Sequence, residues 1–221
     1  MELAWTAWAA ILGFGIAAIF AGRLRLPRNL FLLAYFPLAA GFFIAFVVVS
    51  EVDVLAALEH HWGWGLLGAG VAGAAMVKNV RSQPSSPRST GAGLLLDVLW
   101  PGLAYGLLDA LLLTILPVLA VKSALVGDGW PSGWAALLGF GGVALLASLL
   151  VTAAYHMGYP EFRGKPVFGA MLGNGILTLA YLLTQNPLAP LLSHAAMHVA
   201  AILHGRETTV QLPPHYPRED G

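Results

Sequence analysis

Two histidines four residues apart, His194 and His198 in the run His-Ala-Ala-Met-His, are the most suggestive chemical pair in this chain. On an α-helix that spacing puts both imidazoles on one face, where they can bind a single divalent metal. Asp109, His156 and Asn174 are the other polar side chains that interrupt long apolar stretches. An ionisable group in such a setting is expensive and is kept where partners or a function offset its cost. The plainer reading of the pair, imidazoles hydrogen-bonded to neighbouring carbonyls, stays open. Asn174, flanked by Gly173 and Gly175, suits an interhelical hydrogen bond better than a chemical role, and His204 lies off the shared face near an interface.

The elements that position these groups are membrane helices. With 58% hydrophobic and 10% charged residues and a mean hydropathy of +0.75, the chain cannot present a soluble surface. Its 221 residues are better divided into units of about 20, the number needed to cross the hydrocarbon core. Apolar stretches cover residues 3–22, 30–50, 62–77, 94–121, 134–155, 166–183 and 187–203. The expected fold is therefore all-α, a polytopic membrane bundle of about seven transmembrane helices forming a single domain over 1–221. The 94–121 stretch is long and carries Asp97, Pro101, Gly102, Asp109 and Pro117, so it reads as one tilted or broken helix. The third stretch is the shortest. The first is expected to stay in the mature protein, because Arg23, Arg25 and Arg28 follow its apolar run instead of preceding it.

Charge placement gives an orientation. Arg23, Arg25 and Arg28, then Lys78, Arg81 and Arg88, then Arg163 and Lys165, then Arg206 and Arg218 fall on one side if there are seven spans. The other side receives Lys122 beside Glu51, Asp53, Glu59 and Asp128, which predicts an N-out, C-in multi-pass protein. The loop 78–93 and the tail 207–221 read as flexible cytoplasmic segments. His60, His61, Trp62 and Trp64 suit an outer interfacial belt, Tyr155 and Tyr159 the inner one, and Asp97 is near enough to its helix start to reach cytoplasmic water. Gly169 with Gly173, and Gly102 with Gly106, permit close helix contact. Eleven basic residues balance eleven acidic ones, and no nucleic-acid partner is expected. The absence of Cys excludes disulfides and thiolate catalysis. A compact chain of this kind suits a prokaryotic inner (cytoplasmic) membrane, with lipids as its surroundings.

The order of motifs over 94–205 resembles the CPBP family of intramembrane proteases, the CAAX prenyl protease and bacteriocin-processing group. Residues 148–158, Ser-Leu-Leu-Val-Thr-Ala-Ala-Tyr-His-Met-Gly, resemble the helix that ends in that family's Phe-x-x-x-His motif. Residues 169–194 resemble its next helix, short turn and entry into the His-x-x-x-Asn motif, and Asp109-Ala-Leu-Leu-Leu-Thr114 falls where Glu-Glu-x-x-x-Arg is expected. Departures are evident: Asp109, Ala110 and Thr114 stand for Glu, Glu and Arg, Thr152 for Phe, and His198 for Asn. The resemblance implies a metal-dependent endopeptidase acting on a membrane-associated or lipid-modified peptide. Asp109 would be its base or ligand, with His156, His194 and His198 as ligands of a divalent metal such as zinc. The eroded motif equally suits a catalytically inactive relative that scaffolds another membrane protein. A small transporter or a bis-histidine haem protein are further alternatives, weakened by the lack of an internal repeat and by a single His-x-x-x-His. No Gly-x-Ser-Gly motif is present, which argues against serine catalysis of the rhomboid kind.

Overall fold

A computed structural model describes residues 2–127, 129–205 and 211–213. Asp128, Arg206, Arg218 and the tail apart from 211–213 lie outside the described residues. Among the described residues there are eight helices and no strand. They are α1 (Glu2–Arg23), α2 (Arg28–Val49), the short α3 (Val54–Glu59), α4 (Trp62–Arg81), α5 (Gly91–Leu125), α6 (Trp134–Gly158), α7 (Pro166–Thr184) and α8 (Leu188–Gly205). The protein is an all-α bundle, and six of these helices are long and apolar enough to cross a membrane. This makes it an integral membrane protein by composition and helix length.

Two helices fall outside those six, the short α3 and α4, and α4 covers the third expected span. It is 20 residues long but rich in glycine and ends in Lys78, Asn79 and Arg81, all of which lower its hydropathy. Its packing nonetheless runs it alongside α8 from end to end. A Cβ at Gly68 would fall 3.2 Å from Ala189 Cβ, Gly73 lies against Ser193, and Val80 packs with Ala201 and Ile202. The glycines that make α4 look weakly apolar are what let the two backbones approach closely.

The ends of the helices sort into two groups. At one end the Phe31 and Tyr159 rings meet, a Cβ at Gly22 would touch the Gly158 carbonyl, and His204 Nε2 lies 2.8 Å from the Gln83 carbonyl. Arg28 Nε donates to the Pro213 carbonyl at 2.8 Å at this same end, and Ser89 Oγ donates to Asp97 Oδ2 at 2.7 Å. At the other end Ser50 donates to Glu2, and the buried Asn186 amide donates to the Leu58 carbonyl at 2.9 Å while accepting from the Leu188 N–H at 2.8 Å. Lys122, Asp53, which caps α3 through the Ala56 N–H, and the ring pair His60 and Trp130 lie here too. The basic clusters at the ends of α1, α4 and α6 thus share one end of the bundle.

At the centre stands α5, with 78% of its apolar window buried against 22–28% for α1, α2 and α6. It is one continuous helix of 35 residues, about 50 Å at 1.5 Å per residue, which exceeds the roughly 30 Å hydrocarbon core and requires tilt or projecting ends. Two π-helical segments, Val98–Ala104 and Leu111–Ile115, interrupt its α geometry. The first contains Pro101 and the second ends shortly before Pro117. Proline has no N–H to give the carbonyl four residues earlier, so the ladder must adjust. The expected tilted or broken helix is therefore a continuous one whose breaks are absorbed as wide turns.

The helical arrangement predicts opposite exposure for the α4–α5 and α5–α6 loops. In this Cys-free chain, a Ser85→Cys thiol and a Ser132→Cys thiol should be modified by an impermeant reagent from opposite faces of the membrane. Modification of both from one face would overturn the arrangement in which α5 crosses.

Candidate metal centre

Pro117 withholds an N–H from the turn before it and leaves a backbone acceptor on α5 that hydrocarbon cannot satisfy. Leu113, four residues before Pro117, shows how this is met: its carbonyl accepts from Ser148 Oγ at 2.7 Å and from Asn174 Nδ2 at 3.3 Å. Asn174 also donates to Ser148 Oγ at 2.8 Å and Thr152 Oγ1 at 2.7 Å, and accepts from Thr114 Oγ1 at 2.6 Å. All four side chains are buried. Asn174 therefore ties α5, α6 and α7 together, the interhelical role its flanking glycines suggested.

Between the two π segments, residues Tyr105–Ala110 form a short α stretch that carries Asp109. An extra residue in a turn rotates the next part of the helix by about 100° around the axis, so the bulges decide which way this stretch faces. It turns Gly106 onto α8, where a Cβ would lie 2.8 Å from Ala195 Cα and 3.1 Å from His198 Cδ2. The hairpin between α7 and α8 fixes the other side. Gln185 in left-handed conformation (φ 55°) ends α7, and the Asn186 side chain accepts from the first N–H of α8.

The result is a compact buried trio. Asp109 Oδ2 lies 3.9 Å from His194 Nε2 and 3.8 Å from His198 Nε2, and one ligand atom from each residue falls within 4.8 Å of the others. The residues are 3%, 4% and 1% exposed, so none faces lipid or water. The imidazoles stack with centroids 5.0 Å apart, and His198 meets the edge of Tyr105 at 4.8 Å. Asp109 Oδ1 accepts from the Tyr35 hydroxyl at 2.5 Å, and the Tyr105 hydroxyl also faces the carboxylate.

No family model, curated protein or solved structure matches this chain.

The donors suit a cation. Nε2 of His198, one of the two imidazole nitrogens that face Asp109, is buried without a hydrogen-bond partner among the described residues. Leaving such a group unpaired costs roughly 1–3 kcal/mol. Oxygen and nitrogen ligands about 2.0 Å from a tetrahedral ion stand about 3.3 Å apart. The observed 3.8 and 3.9 Å are too long for hydrogen bonds and within about 0.6 Å of that edge. A carboxylate with two imidazoles can hold a divalent metal ion.

His156 stands outside this trio. Its Nδ1 lies 2.8 Å from the Thr152 carbonyl, and its ring packs against Tyr155 and Phe162. Because a carbonyl only accepts, Nδ1 carries the proton, and Nε2 of the neutral ring is left as an acceptor. The neighbouring Tyr155 reaches the site: the Tyr155 hydroxyl is 2.8 Å from that of Tyr105, whose ring meets His198.

The tyrosines depart from expectation. Tyr155 and Tyr159, expected at the inner interface, are 1% and 2% exposed. Tyr159 donates to Tyr155 at 2.7 Å, and the Tyr155 and Tyr105 hydroxyls are 2.8 Å apart. These hydroxyls find one another inside the bundle instead of headgroups, because α2, α5 and α6 bring four rings together. Tyr35 and Tyr105 belong to no motif, and their one legible signal in the sequence is a tyrosine placed inside a span and not at its end.

The approach of α5 to α8 makes Gly106 a sensitive position. Gly106→Ala should lower stability by about 1–3 kcal/mol, as overpacking does when the obstacle is backbone. Gly173→Ala, where a Cβ meets nothing within 4 Å, should be neutral or slightly stabilising. Melting temperatures of both variants in one detergent check this, and equal values would refute the close approach.

Proposed function

We propose that the chain is an intramembrane metal-dependent hydrolase of the CPBP, CAAX protease-like type, cleaving a membrane-associated or lipid-modified peptide. The observation that carries this reading is the number of ligands. Asp109, His194 and His198 make three, and catalytic zinc sites characteristically use three protein ligands where structural sites use four. A divalent ion bound there would supply Lewis-acid polarisation of a peptide carbonyl and a water acidified toward neutrality.

The chain's own residues take distinct parts. His194 and His198 present Nε2 from one helix face, and Asp109 presents Oδ2 from α5. His156, with Nε2 as its acceptor nitrogen, is the nearby proton acceptor. Burial of the trio keeps bulk water out and strengthens every charge interaction in it. With the basic end in the cytoplasm, the protein is N-out and C-in, and an inner-membrane location in a prokaryote belongs to the same reading.

A second reading, a non-catalytic relative that scaffolds another membrane protein, is favoured by a specific observation. Thr114 and Thr152, standing where the family pattern has Arg and Phe, both bond to Asn174. Two positions of the motif region therefore serve packing.

Metal analysis separates the two. The hydrolase reading expects about one divalent ion per chain in the purified protein. His194→Ala should lose that ion while remaining membrane-inserted and folded, since insertion depends on apolar length. Metal retained at wild-type stoichiometry, with only a lower melting temperature, would sink the role assigned to His194.

A further inference from the structure

Asp109 is held asymmetrically. Oδ1 receives the Tyr35 hydroxyl at 2.5 Å, whereas Oδ2 faces Nε2 of His194 at 3.9 Å and of His198 at 3.8 Å. The Tyr35 side chain is fully buried and confined by its neighbours. Phe31 stacks on it at 5.8 Å and 14°, Tyr105 meets its edge at 5.4 Å, and Tyr155 lies 5.7 Å away. A ring gripped on these sides cannot swing its hydroxyl away, and a hydrogen bond to a carboxylate is roughly twice as strong as a neutral one. The two carboxylate oxygens therefore have different duties: Oδ1 takes the Tyr35 hydroxyl, and Oδ2 faces the imidazoles.

We infer that Tyr35 is a positioning residue that restricts Asp109 to one-oxygen ligation through Oδ2, biasing the centre toward a low-coordination ion of the zinc type. The inference rests on the reading of the trio as a metal centre. A carboxylate with both oxygens free ligates through one or two, and added oxygens favour harder ions of higher coordination number. Groups that orient a ligand characteristically change metal affinity by about 10–100-fold when removed. Tyr35 also comes from α2, whereas the ligands come from α5 and α8. The coordination of the centre is thereby coupled to the seating of a helix that supplies no ligand.

Co(II) is the probe, because its visible absorption is intense when four-coordinate and weak when five- or six-coordinate. The full-length protein in detergent, stripped with chelator and titrated with Co(II), should give the intense spectrum. Tyr35→Phe keeps the ring and its packing, so the variant should still fold, with a melting temperature lowered by the lost hydrogen bond. It should bind Co(II) about 10–100-fold more weakly and with a weaker band as Oδ1 turns to the ion. Tyr159→Phe removes a hydroxyl of the same cluster that donates to Tyr155 and should keep the wild-type affinity and spectrum. A Tyr35→Phe variant with unchanged affinity and spectrum overturns the positioning role alone, as does an equal loss in Tyr159→Phe. A wild-type protein that takes up no Co(II) overturns the metal reading and this inference with it.

Discussion

Inside a bilayer every backbone and side-chain polar group must find its partner within the protein, and α5 concentrates that demand. Two prolines disturb its hydrogen-bond ladder, and an aspartate sits between the disturbances. The carbonyl of Leu113 is met by Ser148 and Asn174, and the Asp109 carboxylate by Tyr35 and, at longer range, two imidazoles. These groups come from α2, α6, α7 and α8, so satisfying one helix draws most of the others around it. That is a physical reason for α5 to be the most buried of the apolar helices.

The two polar clusters on α5 are of different character. Around Asn174 donors and acceptors are matched within hydrogen-bond distance, which rigidifies the junction of three helices. Around Asp109 they are mismatched: nitrogens of His194 and His198 remain without partners in a nearly solvent-free site. Native interiors carry few such groups, and those they carry usually have an ion, a ligand or a reaction to explain them. The contrast within one helix is stronger evidence than either cluster alone. The same protein satisfies its polar atoms where only packing is at stake.

Glycine and proline do complementary work in this bundle. Gly106 on α5 lets its helix approach α8 to a distance that a methyl group would block, and Gly68 on α4 does the same against Thr184 of α7. The prolines of α5 loosen its turns so that the stretch between them faces α8 with Gly106 and Asp109 together. Close approach and register are thus set by residues with no chemistry of their own, and the buried aspartate and histidines inherit their geometry from them.

Composition and periodicity alone determined the class of this protein. Apolar runs of about 20 residues can satisfy their backbones in lipid only as helices, and the long run with Pro101 and Pro117 had to be one distorted helix. The pairing of His194 with His198 was likewise legible, because a spacing of four on a helix is a local fact. Only the tertiary structure decided that Asp109 joins them while His156 stays outside their trio, since no local rule relates residues on α5, α6 and α8. It also decided that α4, weak in hydropathy, runs the length of α8, and that Tyr35, Tyr155 and Tyr159 turn inward. Those outcomes depend on how helices rotate and approach one another, and that is fixed by bulges, glycine contacts and buried pairings spread over the whole chain.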